Sequence, residues 1–375
     1  MRTQDRRKPQ VTSPVMSFGT PQARERVWGW AGAPIADGRV VIDLDATLVT
    51  AHSEKEAAAP TYKRGFGFHP LLAFADHGDG GTGEPVGALL RPGNAGSNTA
   101  ADHIEVFDAA LAQRPAPWRT PDEHGRRPVL VRTDAAGATH GVTHRLAAMG
   151  AEFSVGAYLH HFDIHEVLAQ LPEAAWTPAY QVGKPRAGQQ GPIIEPRDGA
   201  WIAEATALVD LSSWPAGTRL ILRRERPHPG AQLRITDVDG HRIVGVLTNT
   251  PPGSSPSWNY ATAATPASKT ASATPKTPES ATWPFHDLTH NRVWLAITAL
   301  AADLLAWTQR LALTGAAARY EPKRLRLRIL SVAGRLVRTA RRTLLKIPDT
   351  WPWAHDITTA HARLTAHARL AALTP

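Results

Sequence analysis

The feature that most constrains the fold is the stretch from Val40 to Ser53, VVIDLDATLVTAHS. A short apolar run leads directly into two aspartates, Asp43 and Asp45, and a polar segment follows. Side chains alternate along a β-strand, so the two carboxylates share one face while Ile42 and Leu44 share the other. Adjacent carboxylates repel unless a cation, a proton or a hydrogen-bond donor lies between them. The pattern predicts a buried strand that delivers acids to a site; alternatively, one aspartate caps a turn and the other is solvated.

The composition limits the classes of protein to which the chain can belong. Its 375 residues suffice for one large core or two smaller ones, and 42% are hydrophobic. Cysteine is absent, which excludes disulfides and thiolate metal sites and fits a reducing cytoplasm. The net charge of +9 and a pI near 10.1 favour a polyanionic partner over a basic surface without one. We expect neither a membrane span nor a secretory signal, because no apolar stretch is long enough.

The order of apolar runs and turn signals predicts an α/β fold. The sequence indicates three successive strands, a helix from Thr99 to Gln113, a fourth strand from Pro128 to Thr133, a helix at 139–149 and a fifth strand at 152–158. This order, β-β-β-α-β-α-β, is that of the RNase H-like fold, which we therefore expect as a mixed sheet with flanking helices.

Changes in composition and periodicity divide the chain into six parts. A hairpin signal at Asp239-Gly240 marks a β-rich stretch, and a long apolar pattern from Asn291 to Leu313 predicts a core helix. The parts are a basic lead-in at 1–38, interpreted as a remnant of a DNA-binding domain, the first part of the core at 39–160, a β-rich insertion at 161–250, an aberrant Ser/Thr/Pro/Ala linker at 251–284, a core-completing helix at 285–320 and a basic helical tail at 321–375.

A second candidate acid, Asp134, ends the fourth strand. The small residues at 135–137 suit a tight exit from that strand. In an RNase H-like sheet the first and fourth strands are neighbours, so Asp45 and Asp134 would converge at one end of the sheet. Carboxylate oxygens bind Mg²⁺ or Mn²⁺, and two such ions about 4 Å apart can activate a water or 3′-hydroxyl and stabilise the leaving oxygen of a phosphodiester. We predict that Asp45 and Asp134 hold the metal.

Basic residues in two regions predict contacts with DNA phosphates. One group lies in the loop after the first strand, and the other lies in the tail, where three arginines would share one face of a helix. A solvated face without a partner is the alternative for the tail. The residues predicted to contact DNA are Lys55, Lys63, Arg64, Arg335, Arg338 and Arg342.

The central motif resembles one family of phosphatases. D-L-D-A-T-L-V is similar to the first motif of haloacid dehalogenase-like phosphatases, and VLTN at 246–249 is similar to their second. That family usually has glycine where Ala46 stands, and it needs a lysine and then paired acids downstream. No paired acids follow Asn249, so a phosphatase is the less favoured alternative.

A more specific resemblance rests on several blocks of sequence. They are IDLDATLVTAHSEKE at 42–56, YKRGFGFHPLLAF at 62–74, LRPGNAGSNTAADH at 90–103, VLVRTDAAG at 129–137, RRERPHPGAQLRITDVDGHR at 223–242 and FHDLTHNRVWLAITALAADLLAWTQRLAL at 285–313. Together they resemble the DDE transposases of bacterial insertion sequences, over roughly Arg24 to Leu313. The resemblance implies an RNase H-like core with a β insertion, and Asp45 and Asp134 as the first two catalytic acids. It implies that Asp43 is a neighbour that shares metal binding.

The same resemblance implies a reaction and its partners. These are cleavage and strand transfer of DNA with Mg²⁺ or Mn²⁺, double-stranded DNA at the transposon ends and the target, a homodimer in a synaptic complex, and a cytoplasmic, nucleoid-associated location. Such enzymes usually carry a helical DNA-binding domain before the first catalytic strand. Fewer than 40 residues precede Val40, which departs from that pattern and leaves recognition of the terminal repeats open.

The third catalytic acid of that family is missing from its expected place. It is a glutamate on a helix with a pattern like E-D-R-I-R-x-A-K-D-T-G, but here Gly253 to Trp283 is mostly Ser, Thr, Pro and Ala, which is typical of a disordered linker. Prolines at 256, 266, 275 and 278 exclude one continuous helix. With GC-rich codons, the stretch read one nucleotide out of register resembles the missing helix. We hypothesise two compensating frameshifts, which would leave an inactive, DNA-binding copy; Glu204, Glu225 and Glu279 are alternative third acids.

Overall fold

The computed structural model describes residues 21–36, 38–51, 54–78, 81–183, 193–227, 230, 237–251, 283–340 and 342–373. Most of the Ser/Thr/Pro/Ala linker lies outside these residues. The frameshift hypothesis, the candidate Glu279 and most of the basic lead-in therefore also lie outside the described part of the chain.

The strands form a large central sheet, a small three-stranded sheet and a separate hairpin. Their bounds are β1 Ile35–Ala36, β2 Arg39–Ala46, β3 Val49–Thr50, β4 Ala59–Pro60, β5 Phe66–Phe68, β6 Leu71–Ala75, β7 Glu84–Leu89, β8 Val129–Thr133, β9 Glu152–Ala157, β10 Thr177–Gly183, β11 Ile193–Glu204, β12 Arg219–Glu225, β13 Asp237–Val238, β14 His241–Thr248, β15 Arg335–Arg338 and β16 Thr343–Lys346.

Helices flank the central sheet and make up much of the C-terminal region. Their bounds are α1 Pro21–Ala31, α2 Ala100–Ala112, α3 Ala116–Arg119, α4 His140–Ala148, α5 Ile164–Gln170, α6 Leu288–Leu311, α7 Pro322–Leu325, which continues as a π-helix at Arg326–Leu330, and α8 Ala354–Leu373. Within the described ranges no helix is both long and apolar enough to cross a membrane.

The first and fourth core strands, β2 and β8, are neighbours in the central sheet, as predicted. Its strands lie in the sequence β10-β11-β12-β14-β9-β8-β2-β6-β7. Strands β2, β8 and β9 are parallel to one another. Strand β6 is antiparallel to both of its neighbours, β2 and β7. Counted along the chain, the five core strands are ordered third, second, first, fourth, fifth; helices α2 and α3 connect the third to the fourth, and α4 connects the fourth to the fifth. The RNase H-like fold class is therefore confirmed.

The β-rich insertion extends this sheet rather than forming a second one. Strand β14 pairs antiparallel with β9, and β12, β11 and β10 follow outward. The hairpin signal at Asp239-Gly240 is correct: the turn joins β13 to β14, and both residues have positive φ. Strand β10 and helix α5 were not predicted, because their polar residues interrupt the apolar alternation on which the prediction depended.

Each face of the central sheet has its own core. Helices α2 and α4 cover one face, where Phe107 and Leu146 pack against strand residues such as Val131. Helix α6 covers the other face through Leu295 and Ala299, in the core that contains Leu72 and Phe74. Asp43 pairs across the sheet with Phe74, and Asp45 pairs with Leu72. Because paired residues share a face, both aspartates lie on the side of α6.

One prediction for the tail is wrong. Arg335, Arg338 and Arg342 do not share a helix face, because 335–346 forms the antiparallel hairpin β15–β16. Gly334 and Pro348 interrupt helical periodicity on either side, and the leucines pair across the strands instead of repeating every three or four residues. The helix α8 follows, as expected for a helical C-terminal region.

Candidate active site

The two candidate acids lie side by side at one edge of the sheet. Strands β2 and β8 are parallel, and their last paired residues are Leu44 and Thr133. The next residues on the two strands are Asp45 and Asp134. Neighbouring strands are about 4.8 Å apart, so these acids occupy adjacent positions at the carboxyl ends of two strands. Asp45 is half-buried and Asp134 is exposed, which leaves the pair open to a ligand from solution.

The turn after β8 fixes the second acid. The Asp134 carboxylate accepts a hydrogen bond from the Ala136 N–H at 2.9 Å and thereby caps a short 3₁₀ turn at Ala135–Gly137. A Cβ atom at Gly156 on β9 would lie 2.7 Å from the Ala135 nitrogen. The turn can therefore lie against β9 only because position 156 has no side chain. The AAG exit noted in the sequence and this glycine together position Asp134.

Asp43 has a different environment from Asp45, although both lie on β2. Its side chain is fully buried, and Arg132 donates to both of its oxygens, from Nε at 2.6 Å and from Nη2 at 2.8 Å. Nη2 also donates to Asp76 at 2.6 Å. Burial alone would lower the pKa of Arg132, but the ion pairs with the two aspartates outweigh it and hold that pKa above its ordinary value. Asp43 therefore anchors a buried arginine.

Two buried histidines lie close enough to Asp134 for their charges to interact. They are His69, between β5 and β6, and His103, in the first turn of α2. Burial lowers the pKa of each histidine, and the nearby Arg91 lowers both further, whereas the Asp134 carboxylate opposes the shift. The two rings are therefore held neutral beside the second acid.

Main-chain carbonyls select the tautomer of both histidines. His103 Nδ1 lies 2.9 Å from the Thr99 carbonyl oxygen, and His69 Nδ1 lies 3.3 Å from that of Ala95. A carbonyl oxygen only accepts, so Nδ1 must carry the proton in each ring. In a neutral imidazole, Nε2 then keeps its lone pair. Each buried ring thus has a fixed orientation, with Nε2 as its acceptor atom.

Arg91 links the segments that carry these histidines. It is buried, its Nε donates to the His69 carbonyl at 2.9 Å, and its Nη1 donates to Asp102 at 3.0 Å and to the Gly96 carbonyl at 3.1 Å. Sequence analysis did not select Arg91 or His103 as site residues. The signal was present, because both lie in the block at 90–103 that carries the family resemblance.

The loop predicted to bind DNA reaches the edge of this cluster. The exposed Tyr62 ring lies 5.8 Å from the ring of His69, and the ammonium group of Lys63 lies 5.6 Å from the Tyr62 ring centroid. Arg64 is exposed and has a positive φ. Lys55 differs, because its ammonium group donates to the Phe285 carbonyl at 3.0 Å and so stabilises the segment before α6.

Other candidate acids lie away from the pair. Glu204 binds Arg219 and Glu225 binds Arg223, both in the insertion. Glu204 lies on β11, which is four strands from β8, or about 19 Å at the usual strand spacing. Among the residues that the structure describes, no group of three or more His, Asp or Glu side chains could hold a metal ion.

A second acidic cluster lies at the opposite end of the sheet and is enclosed. Arg24 of α1 donates to Glu84 at 2.7 Å and to both oxygens of Asp303 at 3.1 Å, and all three side chains are fully buried. Burial and the neighbouring Glu84 carboxylate raise the pKa of Asp303 to about 8, against the opposing effect of Arg24. Trp28 and His77 also bind Glu84. This cluster joins α1, β7 and α6 and is structural.

Comparison with known proteins identifies a family and similar solved structures. The family described as "Transposase DDE domain group 1" matches residues 22–369. A search of curated proteins finds no match. Among solved structures, the chain is similar to piggyBac transposase in a cryo-EM structure of a synaptic complex with hairpin DNA, at 9% identity and a TM-score of 0.38, over 72% of this chain and 48% of that one. The chain thus spans about half of the length of that transposase.

Proposed function

The chain belongs to the family of transposases with a DDE domain, and we propose that it cleaves DNA and transfers strands in the transposition of an insertion sequence. The observation that carries this proposal is the position of Asp45 and Asp134 at adjacent carboxyl ends of two parallel strands. The phosphatase alternative has no support from the family match.

The side chains of the pair suit a divalent metal ion. Mg²⁺ and Mn²⁺ prefer oxygen ligands, and Mg²⁺ commonly keeps several waters while it binds one or two carboxylates. Asp45 and Asp134 provide these oxygens at an open edge of the sheet. The bound metal would activate a water or 3′-hydroxyl and stabilise the leaving 3′-oxygen of the phosphodiester. Asp43 stays a predicted third ligand, although both of its oxygens already accept hydrogen bonds from Arg132.

The remaining residues of the site bind and orient DNA in this proposal. Lys63 and Arg64 contact phosphates from the exposed loop beside His69, and Lys55 contributes from the base of that loop. The partner is double-stranded DNA, both at the transposon ends and at the target. The protein would act as a homodimer in a synaptic complex and, since its substrate is chromosomal, in the cytoplasm with the nucleoid.

The test is nicking of a supercoiled plasmid with Mg²⁺ or Mn²⁺. We expect wild-type protein to nick the plasmid and Asp134→Asn to lose this activity, since an amide is a poor metal ligand but still accepts the Ala136 N–H bond. Asp122→Asn is a matched control, because Asp122 is also an exposed aspartate that accepts main-chain N–H bonds, at 2.8 and 2.9 Å, in the loop that enters β8 from the other end. Equal loss in both variants would contradict the proposal.

A second candidate function is that of a DNA-binding remnant without chemistry. It is favoured by the missing third acid: the expected E-D-R-I-R-like pattern does not occur in the sequence, and among the described residues no group of three acidic or histidine side chains could hold a metal ion. This function predicts salt-dependent DNA binding with no nicking in either metal. The gene sequence gives a further test, because the frameshift hypothesis requires that the alternate frame of 254–283 encodes the missing helix.

A further inference from the structure

The hairpin β15–β16 is a basic ribbon that lies open to solvent. Its residues are exposed on both strands, except for the half-buried Val337. Between residues 331 and 348 the chain carries five basic residues and no acidic one. None of the described basic side chains of the hairpin forms an ion pair with another described residue. The ribbon therefore presents its charge outward.

Two features of the hairpin work against its own stability. Arg335 lies directly opposite Lys346, and like charges in a cross-strand pair are destabilising. Leu336 and Leu345 also pair, but they are 68% and 61% exposed, so their contact removes little apolar surface from water. An isolated two-stranded hairpin is marginally stable at best in water. These costs would be offset if a polyanion with some apolar surface bound the ribbon.

The charges and the leucines have a defined arrangement. Arg335 and Lys346 lie at the base of the hairpin. Arg338 and Arg342 lie at its tip, where the Thr339 N–H donates to the Arg342 carbonyl at 2.8 Å and closes the turn. Leu336 and Leu345 lie between the two pairs of cations. The distance from base to tip is about 10 Å, because a strand rises about 3.3 Å per residue.

We propose that the hairpin β15–β16 is a DNA-binding ribbon that enters a groove of the duplex. A two-stranded ribbon fits the major groove, and phosphates line both sides of that groove. The cations at base and tip contact phosphates, while Leu336 and Leu345 pack on sugar edges and thymine methyl groups. This inference rests on the proposed function for its choice of DNA, and it adds a contact surface outside the candidate active site.

The test measures binding without chemistry. Anisotropy of a labelled random-sequence DNA duplex is followed in EDTA over a series of KCl concentrations, with wild-type protein and with Arg338→Gln/Arg342→Gln. Each lost phosphate contact reduces the slope of log K against log salt by about one, so we expect a decrease of about two. Because EDTA removes the metal, this result is independent of whether the protein nicks DNA.

Matched variants distinguish DNA binding by the hairpin from non-specific attraction between DNA and any basic surface of the protein. Arg119→Gln/Arg126→Gln removes two exposed arginines from the far end of β8 and should leave the slope unchanged. Arg338→Lys/Arg342→Lys keeps the charge and should restore the wild-type slope. Leu336→Ser/Leu345→Ser should weaken binding several-fold without changing the slope. Equal losses in the two glutamine pairs would overturn the proposal, as would unchanged affinity in the leucine variant.

A membrane is the competing partner, since cations around an apolar pair also suit an anionic bilayer. Vesicles of phosphatidylglycerol and phosphatidylcholine provide that comparison. If Arg338→Gln/Arg342→Gln loses vesicle binding while its DNA binding equals that of wild type, the ribbon is a membrane contact and the proposal is wrong. If DNA binding falls and vesicle binding is unaffected, the proposal holds.

Discussion

The two ends of the central sheet both carry acids, but the acids have opposite surroundings. At one end, Asp45 is half-buried and Asp134 is exposed, and Asp134 has a main-chain donor and two neutral histidines as neighbours. At the other end, Glu84 and Asp303 are fully buried around Arg24. Acidic residues at strand ends are therefore not equivalent. Exposure distinguishes a site that a cation can reach from solution from a buried cluster that already contains an arginine.

The largest contrast concerns activity. We expect Asp45→Asn to lower metal-dependent nicking by about a thousandfold, since loss of a metal ligand removes several kcal/mol of transition-state stabilisation. Thermal unfolding of the same variant should show an unchanged or higher Tm, because the repulsion between adjacent carboxylates is relieved. A Tm that falls by several degrees would mean that this end of the sheet is also structural.

At the opposite end of the sheet, a substitution in the buried cluster around Arg24 should lower only the stability of the protein. Arg24→Met leaves the buried Glu84 carboxylate without its cation, which typically costs about 3–5 kcal/mol. Urea unfolding measures this loss. Arg26→Met is the matched control on the same helix, because Arg26 is exposed and its loss should change the unfolding free energy by less than about 0.5 kcal/mol. Similar losses in the two variants would contradict the structural role.

A smaller change in the free energy of unfolding is expected where β9 packs against the turn that carries Asp134. Gly156→Ala places a methyl group 2.7 Å from the Ala135 nitrogen, so the Asp134 turn must shift at a cost of about 1–3 kcal/mol. Gly29→Ala in helix α1 meets nothing within 4 Å and should instead stabilise by up to about 1 kcal/mol. Urea unfolding distinguishes the two signs, and equal stabilisation by both substitutions would show that β9 does not constrain the turn.

The smallest effect is on the pH dependence of stability. The pKa of Asp303 is raised to about 8 in the folded protein, so the folded chain binds a proton that the unfolded chain releases near pH 4. Its contribution to stability is complete below about pH 4 and is lost as the pH rises through about 8. Asp303→Asn should remove this loss, which denaturant midpoints across that range will measure. An identical pH profile in the variant would mean that Asp303 is ionised in the folded state.

Local sequence patterns predicted the core but not all of the site. Apolar runs and turn signals located β2, β7, β8, β9 and the long helix within a few residues, because each has a clear period or sharp boundaries. The same patterns placed Asp45 and Asp134 next to each other, since element order determines which strands are neighbours. Apolar periodicity was therefore sufficient to predict those contacts that follow directly from the order of the strands.

Side-chain contacts between segments that are distant in the sequence could not be predicted. Arg132 neutralises Asp43, and Arg91 joins the segments of His69 and His103, but no spacing along the chain indicates these partners. The tail was misread for another reason. Its arginines fit a helical period, yet Gly334 and the cross-strand leucine pairs favour a hairpin. Charge spacing alone is a weak guide when apolar alternation is also present.

The pairing of β14 with β9 restricts which parts of this chain can be lost in evolution. Removal of residues 161–250 would expose the edge of β9, with its unpaired main-chain groups, next to the turn that carries Asp134. Unpaired edges of that kind promote association between chains. The insertion thus cannot be trimmed as if it were a surface loop. Only its outermost strands, β10 and β11, can vary in length while the inner strand continues to protect the sheet.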